Sequence, residues 1–272
     1  MRISLNTSKW YDPVWAAFIF FTRLPLWRLH EPPRESYRAV VEFWPLTGWL
    51  TGAVTAAVVY FGSMAFPYAI AVILALAARV LLTGALHEDG LADFFDGFGG
   101  GGGDRRRTLD IMKDSRIGTY GVIGLGLYGL LLFFALSSMP AWLAALAVMA
   151  GDPFCKMVSS QVVSMMPYAR TEDEAKSGVV YRKITLKAGI LLFIQGILPL
   201  ALLLYVTGGM LRWDVLIFCP CLVMYFMYLY IWHRLRGYTG DCCGAMFLLT
   251  ELSFYLCMSY LYFNNNALWR LF

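Results

Sequence analysis

Seven stretches of about 20 residues, nearly free of charge, divide this chain: Phe43–Tyr60, Phe66–Leu86, Ile117–Ser138, Ala141–Met165, Lys187–Thr207, Val215–Trp232 and Gly244–Phe263. An apolar helix of that length matches the hydrocarbon core of a bilayer, where the backbone must satisfy its own hydrogen bonds. The expected fold is therefore all-α: a polytopic integral membrane bundle of about seven transmembrane helices, with residues 1–272 forming one membrane-embedded domain. Composition agrees, with 59% hydrophobic and 15% charged residues and a mean hydropathy of +0.61. Soluble domains carry about 25% charged residues, so a disordered chain or a small disulfide scaffold is excluded and an ordinary soluble enzyme is disfavoured. The shorter run Val14–Phe21 stops at Arg23 and Pro25. It reads as an interfacial or re-entrant helix and lacks the small-residue cleavage site of a signal peptide.

Of the 22 Lys and Arg residues, six lie in 1–42, five in 87–116, five in 166–187 and two in 233–243. All four segments fall on one side of a seven-span topology. Cytoplasmic loops are enriched in positive charge, so the N-terminus and these loops are expected in the cytoplasm and the C-terminus outside. The net charge of +4 fits this bias and calls for no nucleic-acid partner, because the basic residues are dispersed among carboxylates. The six cysteines contain no C-x-x-C pair and four sit in or beside apolar stretches, which favours buried, reduced thiols.

Seven of the 18 carboxylates crowd into positions 88–114: Glu88, Asp89, Asp93, Asp96, Asp104, Asp110 and Asp114. Asp89, Asp93 and Asp96 are spaced i, i+4, i+7, which on a helix is one face. Three like charges on a stripe repel unless a cation lies among them. Hard carboxylate oxygens point to Mg²⁺, with Mn²⁺ or Ca²⁺ as alternatives. A solvated acidic loop is the plainer reading, but Leu91, Phe94, Phe95 and Phe98 among the acids suggest a half-buried helix at the membrane surface. Five glycines at 99–103 read as a flexible linker or a phosphate-approaching loop. Beyond them, Asp104 is expected to cap a short amphipathic helix over 105–114. Lys113 and Arg116 would grip phosphate oxygens; Arg105, Arg106 and Arg107 would either do the same or anchor the loop to the membrane. Metal-holding acids beside phosphate-holding bases make a phosphoryl-transfer constellation.

The run Leu86-His87-Glu88-Asp89-Gly90-Leu91-Ala92-Asp93 with Asp96-Gly97, followed by Ile111-Met112-Lys113-Asp114-Ser115-Arg116-Ile117-Gly118 and Gly121, closely resembles the signature of the cobalamin synthase (adenosylcobinamide-GDP ribazoletransferase) family. Weaker similarities are Phe21-Thr22-Arg23-Leu24-Pro25, Pro45-Leu46-Thr47-Gly48, Pro167-Tyr168-Ala169-Arg170, and Thr239-Gly240-Asp241 with Gly244-Ala245 and Glu251. The lengthened glycine run and Cys242-Cys243 depart from the family pattern. The resemblance implies a Mg²⁺-dependent enzyme of the prokaryotic cytoplasmic (inner) membrane in cobalamin biosynthesis. Such an enzyme joins adenosylcobinamide-GDP to α-ribazole, or its 5′-phosphate, and releases GMP. On this basis Asp89, Asp93 and Asp96 are the expected metal ligands, with Asp114 a further ligand or base. Lys113, Arg116 and Arg105 are expected at the substrate, and His87 and Asp241 are further catalytic candidates. The implied partners are the corrinoid nucleotide, the ribazole and the lipid bilayer. A homo-oligomer and contacts with other cobamide-pathway enzymes are compatible with the sequence.

Two other readings fit the sequence less well. A CDP-alcohol-type phosphotransferase needs an arginine in a D-G-x-x-A-R stretch, and here Asp93 follows Gly90-Leu91-Ala92. A cation-binding transporter usually holds its ion near the midplane between repeats, whereas these acids cluster in a loop and no repeat is evident. Arg79, Lys156 and Glu251 fall inside apolar stretches; Asp152, four residues before Lys156, would neutralise it.

Overall fold

Apolar sequence becomes helix here because neither lipid nor core offers the backbone another hydrogen-bond partner. The structure is a computed structural model describing residues 9–171 and 179–264. Arg2, Lys176 and Arg270 of the charge count lie outside the described residues. The helices are α1 (Asp12–Phe21), α2 (Trp44–Ala65), α3 (Tyr68–Thr83), α4 (Leu86–Gly100), α5 (Arg105–Lys113) and α6 (Thr119–Ser137). There follow α7 (Ala141–Ser160), the single turn α8 (Val162–Met165), α9 (Leu186–Val206), α10 (Trp213–Leu235) and α11 (Gly240–Asn264). Two 3-10 segments, Leu26–Arg28 and Arg34–Phe43, join α1 to α2. Six helical stretches are long and apolar enough to cross a bilayer: Arg34–Ala65, Thr119–Ser137, Ala141–Met165, Leu186–Val206, Trp213–Leu235 and Gly240–Asn264. With ten residues, α1 is too short to do so.

The remaining expected span, Phe66–Leu86, is met by a bent helix pair, α3 and α4, which only together are long and apolar enough to cross. Helix α3 has 16 residues, about 24 Å of rise against a core of roughly 30 Å. It ends where Gly84 (φ 66°) and Ala85 (φ 57°) both adopt left-handed conformations. Two such residues in succession cannot continue a right-handed helix. Gly84 bears its φ without a Cβ, and the Arg23 side chain crosses the space a Cβ would fill. The chain leaves at 91° as α4. The acidic run is thus a helix lying across the end of α3, as the apolar residues among the acids suggested.

Helices α7 and α11 form the centre, with 72% of each apolar window buried, against 17–33% for the other spanning stretches. The outer helices present Phe134, Leu198 and Phe226 to their surroundings, as lipid-facing helices do. The charges inside the bundle are paired, which burial requires. Arg79 on α3 lies 2.8 Å from Glu251 on α11, and the Tyr255 hydroxyl donates to Glu251 at 2.7 Å. Lys156 pairs with Asp152 at 2.5 Å and donates to the Thr51 hydroxyl at 2.9 Å, so the i, i+4 neutralisation expected within α7 is present. All six cysteines are free, and Cys155, Cys242 and Cys243 are buried.

Candidate active site

The basic segments meet at one end of the bundle. Ala169 N donates to Tyr238 O at 2.8 Å, and Tyr238 N to Pro167 O at 3.0 Å, strapping the loop after α8 to the loop before α11. Arg105 donates from Nε to Leu235 O at 2.7 Å and from Nη2 to Ala169 O at 2.6 Å. Arg170 Nη2 donates to Leu109 O at 2.8 Å. Arg182 forks onto Glu42 at 2.5 and 2.8 Å. These charge-assisted bonds to carbonyls and a carboxylate make a rigid frame.

Inside that frame is a cavity of about 270 Å³. Phe21, Trp44, Tyr168 and Tyr181 supply aromatic walls; His87, Asp89, Arg170 and Asp241 supply the polar groups. Close packing of α4 on α11 unites these acids. A Cβ on Gly90 would stand 3.1 Å from the Asp241 Cα, and one on Gly244 3.3 Å from the His87 carbonyl oxygen. Only glycine permits so short a backbone separation, and it brings Asp89 and Asp241 to one rim. Asp89 is exposed while Asp241 is largely buried, its carboxylate 3.4 Å from the Thr239 hydroxyl.

Sequence similarity agrees with this arrangement of motifs. The model of the cobalamin-5-phosphate synthase family matches residues 13–259. An adenosylcobinamide-GDP ribazoletransferase of Leptospira interrogans is 35% identical over 246 residues, covering 89% of this chain and 92% of its own length. Enzymes of the same name from Shewanella frigidimarina (35% over 243 residues; 88% and 91%) and Vibrio parahaemolyticus (34% over 251; 91% and 92%) are equally similar. This chain belongs to the cobalamin-5-phosphate synthase family. No solved structure matches it.

In this family member the expected site residues divide between two places. Asp89, His87 and Asp241 line the cavity. Asp93 lies one turn beyond Asp89 on α4 and is half-buried. Asp96 turns elsewhere: its two oxygens accept from Gly118 N at 2.6 Å and Gly121 N at 2.8 Å, anchoring the start of α6. Asp96, Asp114 and Arg116 line a separate, shallower cleft of about 280 Å³. Arg116 is 87% exposed and bonds Asp114 through Nε and Nη2. Hydrogen bonds from Arg116 hold the Asp114 carboxyl down at about 2, where it is a poor proton acceptor. Lys113 is exposed in the last turn of α5. Arg105 is committed to the frame, and Asp104 caps α5 by accepting from Arg107 N at 3.1 Å, as expected. Among the described residues no three His, Cys, Asp or Glu side chains form a metal-holding cluster.

The glycine run of this synthase is only partly a linker. Gly99 and Gly100 belong to α4, and a Cβ on Gly99 would strike the Tyr120 ring. The turn itself is Gly102 and Gly103, both at positive φ. The role of Arg170 was not legible in the sequence. It lines the cavity, and its Nη1 is buried without a hydrogen-bond partner among the described residues. Its place in Pro167-Tyr168-Ala169-Arg170 was the one available signal.

Proposed function

We propose that the cavity rimmed by Asp89, Asp241 and Arg170 is where this chain, an adenosylcobinamide-GDP ribazoletransferase, joins adenosylcobinamide-GDP to α-ribazole or its 5′-phosphate and releases GMP. The observation carrying this reading is the convergence, on one aromatic-walled cavity, of two carboxylates and an arginine whose buried Nη1 has no partner among the described residues. A buried guanidinium nitrogen without an acceptor is costly, and a phosphate oxygen would satisfy it.

Hard oxygen donors from one or two carboxylates, completed by substrate phosphates, are the usual holders of Mg²⁺. Asp89 and Asp93, one turn apart on α4, fit that set, and Mg²⁺ when bound there would offset the charge developing on the diphosphate. Arg170 orients the diphosphate through Nη1. A ribose hydroxyl of the ribazole, one that the 5′-phosphate leaves unesterified, bonds through its oxygen to the phosphorus nearest the corrinoid, and the bond from that phosphorus to the oxygen of GMP breaks. The proton of that hydroxyl passes to Asp241. Asp96 and Arg105 hold the walls in place. The basic segments around the site favour a cytoplasmic position, in the inner membrane of a prokaryote.

The test is GMP release by the purified protein from adenosylcobinamide-GDP and α-ribazole. Release is expected with Mg²⁺ and is expected to cease on chelation. Undiminished activity in chelator would remove the metal from the reading, and absence of GMP with both substrates and Mg²⁺ would overturn the reading itself.

A further inference from the structure

We infer that the aromatic wall beside His87 is the seat of the acceptor's flat base, and that the His87 imidazole is the group that recognises it. The inference rests on the ribazole-transfer reading above. Three rings carry it. Phe21, Trp44 and His87 lie nearly parallel, with interplanar angles of 12° (Phe21–Trp44), 11° (Phe21–His87) and 20° (Trp44–His87) and centroids 5.3–6.1 Å apart. Phe247 packs against His87 from within the bundle, the two rings steeply inclined at 66° with centroids 5.0 Å apart. Tyr168 and Tyr181 add further ring surface to the same cavity.

An imidazole in such a setting needs a reason. His87 is only 3% exposed, and its Nε2 has no hydrogen-bond partner among the described residues. Buried polar atoms are nearly always paired, and one that is not commonly awaits a ligand. Benzimidazole, the base of ribazole, has two fused flat rings and, once joined to ribose, a single free ring nitrogen. It matches one stacking surface and one hydrogen-bonding group. Guanine matches less well, because its edge carries several donors and acceptors that an aromatic wall would leave unpaired.

Size points the same way. Pockets for drug-sized ligands measure roughly 300–1,000 Å³, so about 270 Å³ takes a base with part of its ribose and excludes a corrin ring. The large donor must then approach from the rim, bringing its diphosphate to Asp89 and Arg170 while the base holds the reacting ribose hydroxyl beside Asp241. The geometry assigns the interior to the small acceptor and the rim to the large donor.

The test compares α-ribazole with an analogue whose base is dimethylindole, in which carbon replaces the free ring nitrogen. For the wild-type protein the analogue is expected to show a KM about 10-fold higher, the worth of one hydrogen bond. In His87→Phe, which keeps a ring in the stack, KM for α-ribazole should rise by about the same factor. That variant should treat the two acceptors alike, and KM for adenosylcobinamide-GDP should stay within about 2-fold. If His87→Phe does not fold, the wild-type comparison alone decides: equal KM values for the two acceptors overturn the inference. A variant in which KM rises equally for donor and acceptor overturns it too. GMP release from α-ribazole, whatever its KM, keeps failure of the subsite distinct from failure of the reaction.

Discussion

The carboxylate of Asp96 accepts the backbone amide of Gly118 at 2.6 Å, tying the middle of α4 to the first turn of α6. With Gly121 also bonded to it, Asp96 acts as a cap supplied from another helix, worth about 1–2 kcal/mol by analogy with ordinary N-caps. Asp96→Ala should therefore lower thermal stability in detergent by about that amount. Asp89→Asn, at an exposed position, should leave the melting temperature unchanged and reduce kcat by about 100-fold or more. Equal thermal shifts for the two variants would contradict this division of roles.

The Arg79–Glu251 pair makes a second prediction. Removing one partner of a buried ion pair leaves an uncompensated charge and costs about 3–5 kcal/mol. Glu251→Gln should show a loss near that size in an unfolding titration. The double variant Arg79→Met with Glu251→Leu should recover most of it, since paired replacement by apolar groups is often neutral. Failure of the double variant to recover would mean that the bonds from Tyr255 to Glu251 and from Arg79 to Tyr128, rather than the ion pair, carry the stability.

The contact between α4 and α11 sets the separation of Asp89 and Asp241. In Gly90→Ala the new methyl would stand 3.1 Å from the Asp241 Cα, so backbone must shift. Such displacements misalign reacting groups, and we expect kcat/KM to fall about 10- to 100-fold while the protein remains folded. Full activity together with an unchanged melting temperature would show that the crossing has slack.

A fourth prediction concerns pH. Hydrogen bonds from Arg116 depress Asp114 from 3.8 to about 2. A depressed carboxyl contributes stability that is fully present above its unfolded value and is lost as pH falls toward the folded one. Asp114 is therefore ionised throughout the working range, and Asp114→Asn should leave the acid limb of the kcat/KM profile in place. Disappearance of that limb would make Asp114 the proton acceptor after all.

How much was legible in the sequence follows from the range of each interaction. Helix α5 and its cap at Asp104 were readable because a cap and its amide lie three residues apart. Six of the seven apolar stretches correspond to long apolar helices, and the Lys156–Asp152 pair was visible as i, i+4. The seventh stretch corresponds to the bent pair α3 and α4, and its 91° bend is invisible in the sequence because composition runs smoothly through Thr83-Gly84-Ala85, where backbone conformation turns the chain.

By itself the sequence determined a helical membrane chain, its family, and the run of residues in which its acids concentrate, since segment length, hydropathy and motif order are properties of the unfolded string. Which acids share a cavity was decided only by the tertiary structure. On an isolated helix Asp89, Asp93 and Asp96 are equivalent members of one face. Once α4 packs against both α11 and α6, Asp89 stands beside the cavity with Asp241, and Asp96 meets the amides of Gly118 and Gly121. Arg170 and the aromatic setting of His87 belong to the same class, because they depend on contacts between residues far apart in the chain.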